Sequence, residues 1–105
     1  QAWSDAFSRY LKGWLPDNRD ANIVDLGCGS GRFLYLLRKF GYTNVTGVDV
    51  SEEQVLLAKQ INKNVIVKDV LSFLRNDTTS YELIAAFDLI EHLTKEEFVE
   101  KLHCN

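Results

Sequence analysis

Three glycines alternate with two small residues in the segment Gly27-Cys28-Gly29-Ser30-Gly31. Glycine lets a backbone turn sharply and lets a ligand approach the main chain closely. A helical pattern of apolar residues begins directly after this loop, so we expect free N–H groups and a positive dipole end there. That arrangement favours a ligand that carries a carboxylate or a phosphate.

Asp25 adds a negative charge two residues before the first glycine. A carboxylate in that position repels a pyrophosphate and attracts an ammonium group. The dinucleotide fingerprint G-x-G-x-x-G also requires a glycine where this chain has Arg32. Both features favour a cationic ligand over a dinucleotide, while a tight strand–helix turn that binds nothing is the alternative.

Two further aspartates end predicted strands. A carboxylate at Asp49 can accept two hydrogen bonds from the cis hydroxyls of a ribose. Asp49 could instead cap the next helix, but Ser51 already fills that role. Asp69 either contacts a ligand or caps the helix that begins at Val70.

The elements that position these residues alternate along the chain. Short apolar runs predict strands over 22–26, 45–49, 64–68 and 81–87. Helical patterns predict helices over 2–15, 32–40, 51–62 and 70–75, and a last helix after the capping box of Thr94 and Glu97. Apolar strands separated by helices indicate an α/β fold with a parallel sheet that is covered on both faces.

Local signals set the ends of two of these helices. Gly41 is the predicted C-terminal cap of the helix over 32–40. Ser51 and Gln54 form the capping box of the following helix. The apolar surface of that second helix is predicted to comprise Val55, Leu56, Leu57, Ala58 and Ile61.

The composition limits the classes of protein to which the chain can belong. The chain has 105 residues, 46% of them apolar and 26% charged, which suits one ordinary globular domain. Its net charge of -3, without a block of Lys or Arg, argues against nucleic-acid binding. No apolar run approaches the roughly 20 residues that span a bilayer, and no signal peptide is found. Two cysteines do not make a disulfide scaffold, so we expect a cytoplasmic protein.

These motifs together resemble the S-adenosylmethionine-binding half of class I methyltransferases, above all the small-molecule, type 11 branch. Residues 24–31 resemble motif I, residues 48–51 the acidic motif II, and residues 81–93 motif IV with its Glu-His segment. The resemblance implies a Rossmann-like three-layer sandwich with strand order 3-2-1-4. The family has seven strands and four are predicted here, so residues 1–105 are expected to form a single domain that is incomplete at its C-terminus.

The resemblance also implies the cofactor and its contacts. By this resemblance, Asp25 is expected to hold the methionine end of S-adenosylmethionine, directly or through water, and the glycines to pass along the cofactor. Asp49 is expected to bind the ribose and Asp69 the adenine amino group, while Val70 packs on the ring. Phe87 is expected to line the pocket near the methyl donor. The implied cofactor-binding residues are Asp25, Gly27, Cys28, Gly29, Gly31, Asp49, Val50, Asp69, Val70 and Phe87.

Asp88, Glu91 and His92 share one helical face, which could hold a divalent metal. The small-RNA 2′-O-methyltransferases of this family carry an E-x-x-E-H-H metal site, but this chain has Asp88 first and Leu93 last. No metal is therefore predicted. His92 is the candidate catalytic base, with positioning of the acceptor pocket or plain packing as alternatives.

The predicted activity is transfer of a methyl group to a small-molecule acceptor. The alternatives are a non-catalytic binding or assembly module and an NAD-dependent oxidoreductase, which Asp25 and Arg32 disfavour. The fourth strand would form an apolar sheet edge, and such edges recruit partners. We therefore expect a homodimer that pairs through this edge.

Overall fold

The computed structural model describes residues 15–87. Four strands and three helices alternate within this part of the chain. They are β1 (Ile23–Leu26), α1 (Arg32–Lys39), β2 (Val45–Asp49), α2 (Glu52–Ala58), β3 (Val65–Val67), α3 (Val70–Asn76) and β4 (Leu83–Ala85). The predicted first helix, apart from Leu15, and the predicted last helix lie outside the described residues.

The four strands form one parallel sheet in the order β3-β2-β1-β4, which confirms the predicted order. In the central strand, Ile23 pairs with Val45 on one side and with Leu83 on the other. The chain moves outward from β1 through β2 to β3 and then returns past β1 to β4. Ligands of such sheets bind at this reversal, outside the carboxyl ends of the strands.

Apolar side chains cover both faces of the sheet, so the described part has three layers. One cluster joins α1 and α2 to the face that carries Ile23 and Val45. The other joins Phe73 of α3 to Val24 and Val48 on the opposite face. All four residues of β1 are buried because this strand lies in the middle of the sheet.

Helix α2 is shorter than predicted, since it ends at Ala58 rather than near residue 62. After Ala58 the α-helix is followed by a tighter turn, in which Ile61 N–H donates to the Ala58 carbonyl at 2.9 Å, three residues back. Asn62 is thereby buried, and its side chain donates to the Val45 carbonyl at 2.8 Å. The predicted apolar surface was wrong at Leu56 and Leu57, which are exposed.

The last turn of α1 closes as predicted at Gly41, which has a φ of +92°. Gly41 N–H donates to the Arg38 carbonyl at 3.0 Å, and Tyr42 N–H donates to the Leu37 carbonyl at 3.1 Å. This pair of bonds is a Schellman motif, which satisfies carbonyls at a helix end.

Strand β4 spans three residues instead of the predicted seven. Glu82, just before it, binds the start of β1, because Glu82 N–H donates to the Asn22 carbonyl and Asn22 N–H donates to Glu82 Oε2 at 2.5 Å. Among residues 15–87, no helix has the length and apolar character to cross a membrane.

Candidate functional site

The glycine loop leaves the carboxyl end of β1 and enters α1. Gly29 and Gly31 have φ values of +56° and +100°, in the left-handed region that favours glycine. Gly31 is the N-cap of α1, without a side-chain hydrogen bond. The turn itself therefore requires glycine at these positions.

Four N–H groups of the loop are used within the protein. Gly27 and Cys28 both donate to the Val48 carbonyl, at 2.7 and 3.0 Å, and Gly31 donates to the Cys28 carbonyl at 3.1 Å. Gly29 donates to Asp49 Oδ2 at 2.8 Å. A pyrophosphate cradle needs such N–H groups turned toward the ligand. The loop is therefore built to lie against β2 rather than to surround a phosphate.

Cys28 places its side chain in the core, where it is 1% exposed. Its thiol approaches the Gly29 carbonyl at 3.6 Å. Cys28 is therefore a small side chain that fills the core beneath the loop. Its N–H donates to the Val48 carbonyl and its own carbonyl accepts from Gly31 N–H, so Cys28 supports the loop from the inside.

Gly47 in β2 supports the loop, although no role for it was predicted from the sequence. A Cβ atom at Gly47 would lie 2.9 Å from Leu34 Cδ1 and 3.0 Å from Cys28 Sγ. Glycine in the middle of a strand often marks such a close approach, and this was the available signal. Gly47 thus makes the space into which the loop inserts Cys28.

Gly31 has a packing role besides its backbone conformation. A Cβ atom there would lie 3.0 Å from Ile61 Cδ1 and 3.2 Å from Ala58 Cα. The start of α1 therefore packs directly on the end of α2. This contact accounts for a glycine at position 31 without any ligand.

Asp49 joins the loop to the start of α2. Its Oδ2 accepts from Gly29 N–H, and its Oδ1 accepts from Ser51 N–H at 2.9 Å. Ser51 caps α2 as predicted, since its hydroxyl accepts from Gln54 N–H at 3.3 Å. The N–H that a full capping box would pair with the Gln54 side chain is given to Asp49 instead.

Three further residues that were predicted to bind the cofactor lie beside the ends of β2 and β3. Val50 follows Asp49 and is 71% exposed, which is unusual for valine. Asp69 caps α3, because its Oδ2 accepts from Ser72 N–H at 3.1 Å. Val70 is half-buried against the cluster of Phe73. The cap that was the alternative for Asp69 is thus present.

Asp25 and Phe87 complete the described part of the predicted site. Asp25 is 2% exposed and pairs in register with Gly47 and Ala85. The Phe87 ring meets the Phe33 ring edge-on, with centroids 4.9 Å apart, and stays 36% exposed. Phe87 therefore lies against the first turn of α1, close in sequence to the loop.

The predicted cluster of Asp88, Glu91 and His92 lies outside the described residues. Within residues 15–87, no group of three His, Cys, Asp or Glu side chains could hold a metal ion.

A glycine loop and an aspartate meet at the carboxyl ends of the parallel sheet, which is where open α/β proteins bind their ligands. The sequence model of a family described as "Methyltransferase domain" matches residues 1–97. The chain therefore belongs to this family of methyltransferase domains. This finding confirms the family that the motifs predicted.

Solved structures share the fold. The plantazolicin methyltransferase BpumL in complex with SAH is 27% identical, with a TM-score of 0.60 over 79% of this chain and 33% of that one. The magnesium protoporphyrin IX methyltransferase ChlM from Synechocystis PCC 6803, with bound SAM, is 25% identical, with a TM-score of 0.65 over 91% of this chain and 48% of that one.

Curated relatives act on different acceptors, according to their names. EEF1A lysine methyltransferase 2 of Homo sapiens is 39% identical over 71 residues, which are 65% of this chain and 28% of that protein. A ribosomal protein L11 methyltransferase of Thermotoga neapolitana is 38% identical over 85 residues, which are 77% of this chain and 29% of that protein. The chain thus spans less than a third of the length of these relatives.

Proposed function

We propose that this chain binds S-adenosylmethionine at the carboxyl ends of β1, β2 and β4, as the cofactor-binding part of a methyltransferase. The observation that carries the proposal is the 2.8 Å hydrogen bond from Gly29 N–H to Asp49 Oδ2. It joins the two motifs, which are distant in sequence, into one site. Membership of the methyltransferase family and solved relatives named with SAH or SAM support this ligand.

Asp49 has acceptor capacity left for a ribose. An ionised carboxylate offers about four lone-pair sites. Gly29 and Ser51 each use one of them. About two sites remain, one for each of the two cis hydroxyls of a ribose. The ligand can therefore bind Asp49 without displacing either backbone N–H group.

The adenine is proposed to lie on the apolar surface beside Asp49. Val50 exposes 71% of its surface directly after Asp49, and burying it against a base removes apolar area from water. Val70 would supply the second apolar contact. Asp69 would accept from the adenine amino group through an oxygen other than its capping Oδ2.

The methionine end is proposed to lie over the glycine loop. Asp25 is almost fully buried, so we infer that it attracts the ammonium group through an intermediary rather than by direct contact. The exposed part of the Phe87 ring would face the sulfonium, because aromatic rings attract cations. NAD is disfavoured, because its pyrophosphate would need N–H groups of the loop as hydrogen-bond donors. Four of these groups already donate to acceptors within the protein.

The bound cofactor supplies an electrophilic methyl group to a nucleophilic acceptor. The chain's own residues bind and orient the donor, and the remainder of the pocket excludes water. His92 stays the proposed base for an acceptor that must lose a proton. We propose a small-molecule acceptor, as for the probable (S)-tetrahydroprotoberberine N-methyltransferase 2 of Papaver bracteatum, which is 35% identical over 89 residues. Relatives named for EEF1A and L11 make a protein acceptor the alternative.

Calorimetric titration of S-adenosylhomocysteine into the purified chain tests the proposal. We expect binding that Asp49→Ala weakens by at least about tenfold, since it loses hydrogen bonds to a charged group. Asp20→Ala is the matched control, because Asp20 is an exposed acid before β1, at the opposite end of the sheet. Binding of NAD in place of S-adenosylhomocysteine would contradict the proposal.

A further inference from the structure

We propose that Asp49 is also a positioning residue, which holds the glycine loop in the conformation that receives the ligand. The proposal rests on the proposed function only in the identity of that ligand. The hydrogen bonds that carry it are those of the protein itself.

Three successive N–H groups of the loop point at the end of β2. Gly27 and Cys28 donate to the backbone carbonyl of Val48, and Gly29 donates to the side chain of Asp49. The first two bonds continue the strand pairing by one step. The third bond is made where the loop has left the sheet, and its acceptor is a side chain rather than a backbone carbonyl.

The Asp49 carboxylate is itself held in place. Its Oδ1 accepts from Ser51 N–H two residues on, which fixes the side chain at the turn into α2. Its Oδ2 is thereby directed at Gly29, which lies 20 residues earlier in the chain. The two bonds form a bridge, which we call the Asp49 latch, from the β2–α2 turn to the middle of the loop.

The loop needs such a restraint because its composition provides little stiffness. Glycine loses more conformational freedom on folding than any other residue, and Gly29 lies between two further glycines. Without the latch, the ligand would have to order the loop when it binds, and that cost lowers affinity. The latch therefore contributes to binding before the ligand arrives.

The latch and the ligand can act together. About two of the four lone-pair sites of the carboxylate stay available beside the two backbone bonds. The geometry thus assigns Asp49 two roles: acceptor for the ribose hydroxyls and anchor for the loop.

Amide hydrogen exchange of the empty chain, read residue by residue by NMR, tests the latch. In Asp49→Ala we expect protection of the Gly29 and Ser51 N–H groups to fall by about tenfold or more, because each loses an acceptor. Asp69→Ala is the matched control, because it also removes an acid that follows a strand. It should lower the protection of the Ser72 N–H group and leave that of Gly29 and Ser51 unchanged. A general loss of stability would lower the protection of all amides together and would not produce this pattern.

Asp49→Asn keeps the test decisive if the alanine variant does not fold. Its carboxamide has one oxygen, which can accept from Gly29 or from Ser51 but not from both, because its NH₂ group only donates. We expect one of these two N–H groups to lose protection while the other keeps it. Unchanged protection of both N–H groups in a folded Asp49 variant would overturn the latch and leave S-adenosylmethionine binding intact. Loss of protection in a chain that does not bind S-adenosylhomocysteine would leave the latch and overturn the proposed ligand.

Discussion

Replacing Gly47 by alanine should destabilise the protein, although local preferences alone predict the opposite. Gly47 has a φ outside the left-handed region, so its backbone accepts alanine. A Gly→Ala change at a compatible site normally stabilises a protein by about 0.4–1 kcal/mol, because it restricts the unfolded chain. In this sheet, however, the new methyl group meets two buried atoms.

The size of the effect follows from those contacts. The alanine Cβ would lie 2.9 Å from Leu34 Cδ1 and 3.0 Å from Cys28 Sγ, and both side chains are buried. Overpacking of this kind costs about 1–3 kcal/mol. After the unfolded-state gain is subtracted, the free energy of unfolding should fall by about 0.5–2 kcal/mol. Since Cys28 belongs to the glycine loop, the affinity for S-adenosylhomocysteine should fall as well.

Urea denaturation measures the first effect as a lower midpoint at an unchanged slope. Cys28→Ala removes the Sγ atom, so a double-mutant cycle with Gly47→Ala should show a favourable coupling of about 0.5–1 kcal/mol. Gly41→Ala is the control, since it strains a positive φ at the far end of α1 and should destabilise the chain without weakening ligand binding. A Gly47→Ala variant as stable as the parent chain would refute the reasoning.

Three further predictions concern the start of α1, the pocket wall and the sheet edge. Gly31→Ala should lower the free energy of unfolding by more than about 1 kcal/mol, and Ile61→Val, which removes Cδ1, should restore part of it in urea denaturation. Phe87→Leu should weaken S-adenosylmethionine binding by about 0.5–1 kcal/mol more than S-adenosylhomocysteine binding, because only the former carries a sulfonium; equal losses by calorimetry would refute this contact. The edge of β4, where Ile84 is 55% exposed, should pair with a second copy, so light scattering should show a dimer that Ile84→Lys converts to a monomer. A monomeric parent chain at high concentration would refute that pairing.

The sheet was predictable from the sequence because its signals are strong and local. The first strand is marked by the apolar residues Ile23, Val24 and Leu26, and Gly41 marks the end of a helix by a conformation that few other residues adopt. The strand order came from the resemblance, and the parallel pairing of β1 with both β2 and β4 confirms it.

The parts that sequence reasoning missed depend on contacts between distant segments. Leu56 and Leu57 were assigned to the apolar surface of α2 but are exposed, because Val55 and Ala58, three residues apart, form the face that packs on the core. The importance of Gly47 depends on where Cys28 places its side chain, which no local pattern encodes.

The bonds of Asp49 show the same limit at the candidate site. The acid was predicted from its place at the end of β2, and the ribose role stays a prediction. Its bond to Gly29 was not foreseen, since it requires knowing how closely the loop approaches β2.

The most direct test of the central claim is to follow backbone amide shifts by NMR while S-adenosylhomocysteine is added. We expect the largest shift changes around the carboxyl ends of the strands, at residues 27–31, 49–51 and 69–70 and at Phe87. Asp20 and Asn44, at the amino end of the sheet, should not change. Saturable shifts centred on those two residues, or no shifts in a folded chain, would contradict the proposed site.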